Sequence, residues 1–269
     1  MDRELLHFAD LTYTQAQALL DAERPTVLLL PVGSTEPHGP HSPLQTDPII
    51  SMGMCERAVR RLSDDPELGA LILPSLGYGV TRYTRSFAGA VHVSEDALHA
   101  LLVDLIGSLI AQGFRYHAIV NNHFEPEHVQ TLHRTIDTIG QRTGVTVAYL
   151  DLTRKERAIR LTDEFRRGEC HAGRYETSLV LADHPELVDD AAMAKLPYVP
   201  VNLAAVIADG KKEFVEMGLT QAYCGAPAEA TAEEGEEIFE TLTGMLVDQM
   251  RALVRGEGGR DVSGLYGRV

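Results

Sequence analysis

Basic residues are scarce in this chain. Twenty-four Lys and Arg stand against 39 Asp and Glu, giving a formal net charge of −15 and a pI near 5.1. A nucleic-acid-binding protein needs a basic patch, and a protein that sits on anionic lipid needs a basic cluster; neither footprint is present. Acidity of this size favours solubility and, in the far field, neutral or cationic ligands, but leaves the charge of a pocket open. Long apolar runs are also missing. VLLLPV stops after six residues and LLVDLIGSLIA is interrupted by Asp104, well short of the roughly 20 residues of a membrane-spanning helix. The amino terminus, MDRELLHFADLT, is charged and has no apolar stretch of the kind a secretory leader requires. Cysteine is sparse: Cys55, Cys170 and Cys224 are odd in number, far apart and contain no CxxC. That excludes a disulfide framework and fits a reducing cytoplasm, the expected location. The three read as buried thiols, with Cys170 notable because His171 follows it. There is no internal repeat, low-complexity tract or long linker, so residues 1–269 are expected to form one domain.

What is present is an ordinary apolar fraction, 44%, in a chain long enough for a large core. Short apolar runs alternate with helical patterns. Helices are expected at 14–22, 47–62, 94–113, 125–140, 153–168 and 231–256. Strands are expected at 26–32, 69–75, 116–122 and 145–152, and the segment 186–230 is expected to be irregular. Ser94 and Thr231 precede acids, as helix caps do. The β-α-β-α order predicts an α/β fold with a mostly parallel central sheet and helices on both faces.

Three polar clusters follow the strands, where α/β sheets gather ligands. Glu36-Pro37-His38, with His41 and Asp47 beyond, follows VLLLPVG. Residues i and i+2 of an extended segment point the same way, so Glu36 and His38 can face one cavity. His123 and Glu125, after the strand HAIV, repeat that spacing. The third cluster is Glu169-Cys170-His171-Ala172-Gly173-Arg174-Tyr175-Glu176, with Glu176 on the helix that follows. A lone ExH or HxE pair is more often solvated than liganding, and spacing alone leaves both readings open. Three such clusters together strengthen a metal reading. Imidazole with carboxylate suits zinc, manganese or iron(II). Five ligands exceed what one catalytic zinc with an open position takes and suit two metals sharing a carboxylate.

The segments LLLPVGSTEPHGPHSPLQTD, FAGAVHVS, GFRYHAIVNNHFEPE, CHAGRYETSLVL and GAPAEATAEEGEEI resemble the creatininase (creatinine amidohydrolase) family, in family order over about 26–240. The resemblance implies a three-layer α/β/α fold and a metal-dependent hydrolase of carbon–nitrogen bonds other than peptide bonds. Glu36, Asp47 and His123 would hold one divalent ion, Zn or Mn with Fe as a further option. His38, Asp47 and Glu125 would hold the other, with Asp47 between them and a water or hydroxide as nucleophile. The catalytic candidates are His171, Glu125 and Glu176, with His171 moving a proton to the leaving nitrogen; its structural alternative is a buried histidine capping the next helix. The expected partner is a small-molecule substrate, without nucleic acid or membrane, in a homo-oligomer, a hexamer by resemblance.

The sequence also departs from the family. It has no tryptophan, whereas creatininase proper encloses its ring substrate with that residue, so the departure points away from creatinine. NGHGGN reads NNHFEP, FPGT reads FAGA, and Thr84 stands where many relatives carry histidine. In RYTR, which resembles the substrate loop, Arg82, Tyr83 and Arg85 are candidate substrate-binding residues; arginine can grip an anionic group, and a solvated loop or subunit contact is the alternative. His92, His99, His117, His128 and His133 read as structural or surface residues, and His41 as a support for the ligands. Three functions follow: a hydrolase of a cyclic amide or formamide, a peptidase trimming a short peptide as in mycofactocin maturation, or a non-catalytic metal-binding scaffold.

Overall fold

The structure is a computed structural model that describes residues 6–257. Residues 1–5, part of the segment read as lacking a secretory leader, and 258–269, the far end of the expected domain, lie outside the described residues.

After a capped first helix, α1 (Tyr13–Asp21), the chain enters β1 (Thr26–Val32) and then α2 (Thr46–Arg61). It continues through β2 (Gly69–Ile72), α3 (Glu95–Gln112), β3 (Tyr116–Asn121), α4 (Pro126–Thr143) and β4 (Val147–Tyr149). The four strands form one parallel sheet in the order β2-β1-β3-β4, with Val27 to Val32 of β1 in register with Tyr116 to Asn121 of β3. A parallel sheet must be covered on both faces, and β1 is accordingly apolar at every turn of its pleat. Val27 and Leu29, with Ala118 and Val120, face a core that includes Ile50, Met54 and Phe239. Leu28, Leu30 and Val32, with Ile119 and Val147, face a second core built with Leu98, Leu102 and Leu132. The result is a three-layer α/β/α sandwich.

The later chain forms α5 (Lys155–Ala158), α6 (Asp163–Arg166), α7 (Arg174–Asp183), α8 (Asp190–Met193), α9 (Leu203–Ala208) and α10 (Ala232–Val254). The helix expected over 153–168 is therefore two single turns. Thr162 causes the break: its hydroxyl caps the second turn by accepting the Phe165 N–H at 3.3 Å, the use to which a short hydroxyl side chain is best suited. The Arg166 guanidinium takes the Ile159 and Leu161 carbonyls left free at the break. The strand expected over 69–75 ends at Ile72, two residues before Pro74, which has no N–H for a ladder. The strand expected over 145–152 is likewise shortened to three residues. Among the described residues no helix is long and apolar enough to cross a membrane.

From β1 the chain moves to β2 on one side, and from β3 to β4 on the other. The strand order thus reverses between β1 and β3, and the crevice at their carboxyl ends is where such sheets bind ligands.

Candidate metal centre

Where β1 ends, the chain turns at Gly33. A Cβ there would lie 2.7 Å from Cβ of Asp47 and 2.8 Å from the Pro48 nitrogen, so only glycine lets the start of α2 approach so closely. The Ser34 N–H donates to Oδ2 of Asp47 at 3.2 Å. His38 is oriented by its own loop, donating from Nδ1 to the Glu36 carbonyl at 3.0 Å, which leaves Nε2 turned to the cluster. His123, two residues beyond the end of β3, donates from Nε2 to the Val80 carbonyl at 2.7 Å, which likewise frees Nδ1.

These constraints bring the predicted residues together. His123 Nδ1 lies 2.9 Å from Oε1 of Glu36 and 3.1 Å from Oδ2 of Asp47. His38 Nε2 lies 3.0 Å from Oδ1 of Asp47. One oxygen of Asp47 therefore faces each imidazole. Glu36, His38, Asp47, His123, Glu125, His171 and Glu176 are all buried, none more than 7% exposed.

The third cluster closes over this pair. Ala172 adopts a left-handed conformation, φ 50°, and its N–H donates to Oε2 of Glu176 at 2.6 Å. That oxygen stands 3.6 Å from His38 Nε2. His171 stacks on His38 with ring centroids 4.4 Å apart and donates from Nε2 to the Pro37 carbonyl at 2.9 Å. Three groups of side chains present ligand atoms within 4.8 Å of one another: Glu36, His38 and His171; Glu36, His123 and Glu125; His38, Asp47 and Glu176. Glu125 thus groups with His123 rather than with His38, because its Oε2 is drawn to the N–H groups of Arg82 (2.8 Å) and Tyr83 (3.3 Å). Glu176 takes the place beside His38.

Packing so many ionisable groups out of water displaces their proton affinities. Burial opposes charging His38, but Asp47 outweighs it and lifts the imidazole to about 10. His123 is likewise raised, burial being overcome by Glu36 and Asp47. Against their burial, Asp47 is held below the usual carboxylate range by His38 and His123, and Glu36 is lowered by His123 and, less, His171. Burial lifts Glu125 to about 7 and Glu176 to about 8. Burial and then the charge of His38 push His171 down to about 4. Within the cluster, His38 Nε2, ion-paired with Asp47, and Glu125 Oε1 make no hydrogen bond of good geometry. Buried polar atoms are rarely left so. Inward-facing nitrogens whose rings are anchored from behind, amid several carboxylates, are a donor set that fits divalent cations.

The side chains of Arg82 and Arg85 do not turn into this cluster. Arg82 pairs with Glu95 at 2.7 Å, and Arg85 pairs with Glu213. The backbone of the loop reaches the cluster instead, through Glu125. The Tyr83 ring is buried against Phe214, centroids 6.4 Å apart, and Phe214 meets His171 edge-on at 4.7 Å. Phe214 has no signal in the sequence, since it comes from the irregular segment. Thr84 donates to Oε2 of Glu36 at 2.9 Å. His41 bonds Thr177 at 2.8 Å. His128 is buried and neutral, accepting from the Val80 N–H at 3.3 Å and donating to Asn121 at 3.1 Å. It thereby steadies the carbonyl that orients His123. The Cys170 thiol is pushed up to about 12 by burial, which suits packing rather than reactivity.

Comparison with known proteins places the chain in a family. The creatininase (creatinine amidohydrolase) family profile matches residues 9–250. The creatinine amidohydrolase of Pseudomonas putida is 28% identical over 265 residues, covering 90% of this chain and 95% of its own. The mycofactocin precursor peptide peptidase of Mycobacterium tuberculosis is 30% identical over 235 residues, covering 85% and 84%. The solved structure of creatininase in its Mn form superposes with a TM-score of 0.75 at 24% identity, covering 92% of this chain and 98% of that one. The chain belongs to the creatininase family, hydrolases acting on carbon–nitrogen bonds other than peptide bonds.

Proposed function

We propose that the chain is a dinuclear metal-dependent amidohydrolase that opens a cyclic amide or cleaves a formamide of a small molecule. The observation that carries this reading is Asp47, whose two oxygens face His38 and His123 from between them. Glu36, Asp47, His123 and Glu125 would hold one cation, and His38, Asp47 and Glu176 the other. Zn or Mn suits this set, with Fe as a further option. A cation pair supplies the means to lower the pKa of water from about 15.7 to about 7 and to polarise a carbonyl. His171 enters as a neutral imidazole. Its Nε2 proton is committed to Pro37, so Nδ1 is the atom that takes a proton and returns it to the leaving nitrogen. Phe214, backed by Tyr83, covers His171 on one side and limits the water that reaches it. Neither Arg82 nor Arg85 is assigned to substrate, since both are paired with glutamates. The protein would work in the cytoplasm as one domain per chain, in a homo-oligomer, with the hexamer as the expected size.

The peptidase reading is kept because relatives as similar as 30% act on a precursor peptide, and because the chain has no tryptophan. The test is a hydrolysis screen of Mn- or Zn-loaded protein against lactams, formamides and short peptides. Turnover of a lactam or formamide is expected. Turnover of peptides alone favours the peptidase, and two bound ions with no turnover at all favour a scaffold.

A further inference from the structure

We infer that Glu164 is a positioning residue for the His171–Glu176 arm of the metal centre: its carboxylate joins the start of α7 to the 224–226 segment and so fixes where both side chains stand. The inference rests on the metal-centre reading above. Glu164, in α6, is 1% exposed. Its Oε1 accepts the N–H groups of Arg174 at 3.0 Å and Ala226 at 2.7 Å, and its Oε2 accepts that of Tyr175 at 2.6 Å. Arg174 and Tyr175 open α7, where N–H groups have no partner inside the helix, and Gly173 before them has no side chain with which to cap. The cap therefore comes from another element, and its negative charge suits that helix end. Two glycines make the room: a Cβ at Gly173 would lie 2.8 Å from Oε1 of Glu164, and one at Gly225 2.2 Å.

The arm runs between the points so fixed. His171 lies three residues before the capped N–H of Arg174, and Glu176 lies one residue after that of Tyr175. The Cys224 N–H donates to the His171 carbonyl at 2.9 Å, so the segment held at Ala226 also holds His171. Glu164 itself is not in any of the three ligand groups; it acts through its neighbours.

Glu164→Gln keeps the shape and turns an NH2 toward at least one of the three N–H groups, whichever way the amide lies. Equilibrium dialysis against Mn²⁺, with circular dichroism to confirm folding, should find two ions per chain in the wild type. E164Q should keep one, with the second at least tenfold weaker, because Glu176 belongs to only one subsite. Two ions at wild-type affinity in E164Q overturn the inference, and so does equal weakening of both, which a merely structural role would give. A wild type that binds no Mn²⁺ contradicts the metal reading instead. In that case, or if E164Q does not fold, amide exchange in the wild type decides. The N–H groups of Arg174, Tyr175 and Ala226 should exchange slowly and together, and fast exchange at Tyr175 overturns the inference.

Discussion

Asp47 has an imidazole at each oxygen because two backbone carbonyls, those of Glu36 and Val80, turn His38 and His123 toward it. The amide of Asp47→Asn loses the charge and turns a donor toward one histidine. D47N is expected to fold and to bind at least tenfold less metal, read by elemental analysis after dialysis. His171→Gln should retain both ions yet lose about a hundredfold to ten-thousandfold in kcat, the usual worth of a positioned proton carrier; unchanged turnover would remove His171 from the mechanism. A third residue lies away from the centre. Asp151 is buried, and against that burial the hydrogen bonds of His133, Thr153 and Arg154 lower its carboxyl from 3.8 to about 2. A depressed carboxyl contributes stability that is complete above its unfolded value and lost as pH falls through the folded one. Asp151→Asn should therefore cost about 2 kcal/mol in urea unfolding at pH 7, with the difference fading between pH 4 and 2. The clustered residues Glu36, His38, Asp47, His123, Glu125, His171 and Glu176 were legible in the sequence as polar groups near the predicted strand and helix ends and by resemblance to the creatininase family. Glu164, His128 and Phe214 were not, because their roles are contacts with backbone or rings distant in the chain.

Among the elements, helix packing depends on close approaches that side chains would block. A Cβ at Gly235 of α10 would meet the Ser178 carbonyl of α7 at 2.0 Å. Since α7 carries Glu176, Gly235→Ala should cost at least about 2 kcal/mol in denaturant unfolding, in the range of overpacked cores, and weaken metal binding as α7 moves. Full metal affinity in G235A would show that α7 is held by its amino-terminal end alone. The strands were legible as elements because β1 carries the apolar run Val27–Val32 and β3 the shorter run 118–120, the signature of strands buried on both faces. The break in 153–168 was not, because Ala158, Leu161 and Phe165 keep helical spacing while Thr162 competes for the backbone. Nor was the pairing of Arg82 with Glu95 and Arg85 with Glu213, which joins segments far apart in sequence.

At the scale of the molecule, four buried carboxylates, Glu36, Asp47, Glu125 and Glu176, stand among three buried imidazoles, His38, His123 and His171. Cations that bind the folded chain alone stabilise it by mass action, by about 4 kcal/mol at a thousandfold excess over Kd. Chelation should therefore lower Tm by roughly 10 °C in a scanning melt, given about 2–4 °C per kcal/mol for a chain of this size, and Mn²⁺ or Zn²⁺ should restore it. The layered architecture followed from the β-α-β-α pattern, and the cluster was expected at the carboxyl ends of the strands; the strand-order reversal between β1 and β3 came only with the structure. Substrate identity did not follow from the sequence, because the rings beside His171, such as Phe214, come from segments without periodicity.

The central claim is tested most directly by anomalous diffraction from crystals of the full chain grown with Mn²⁺. Two peaks per chain are predicted, about 3.5–4 Å apart as in two-metal hydrolases, with the Asp47 carboxylate between them. Density lacking any peak at Asp47, at saturating Mn²⁺, would contradict it.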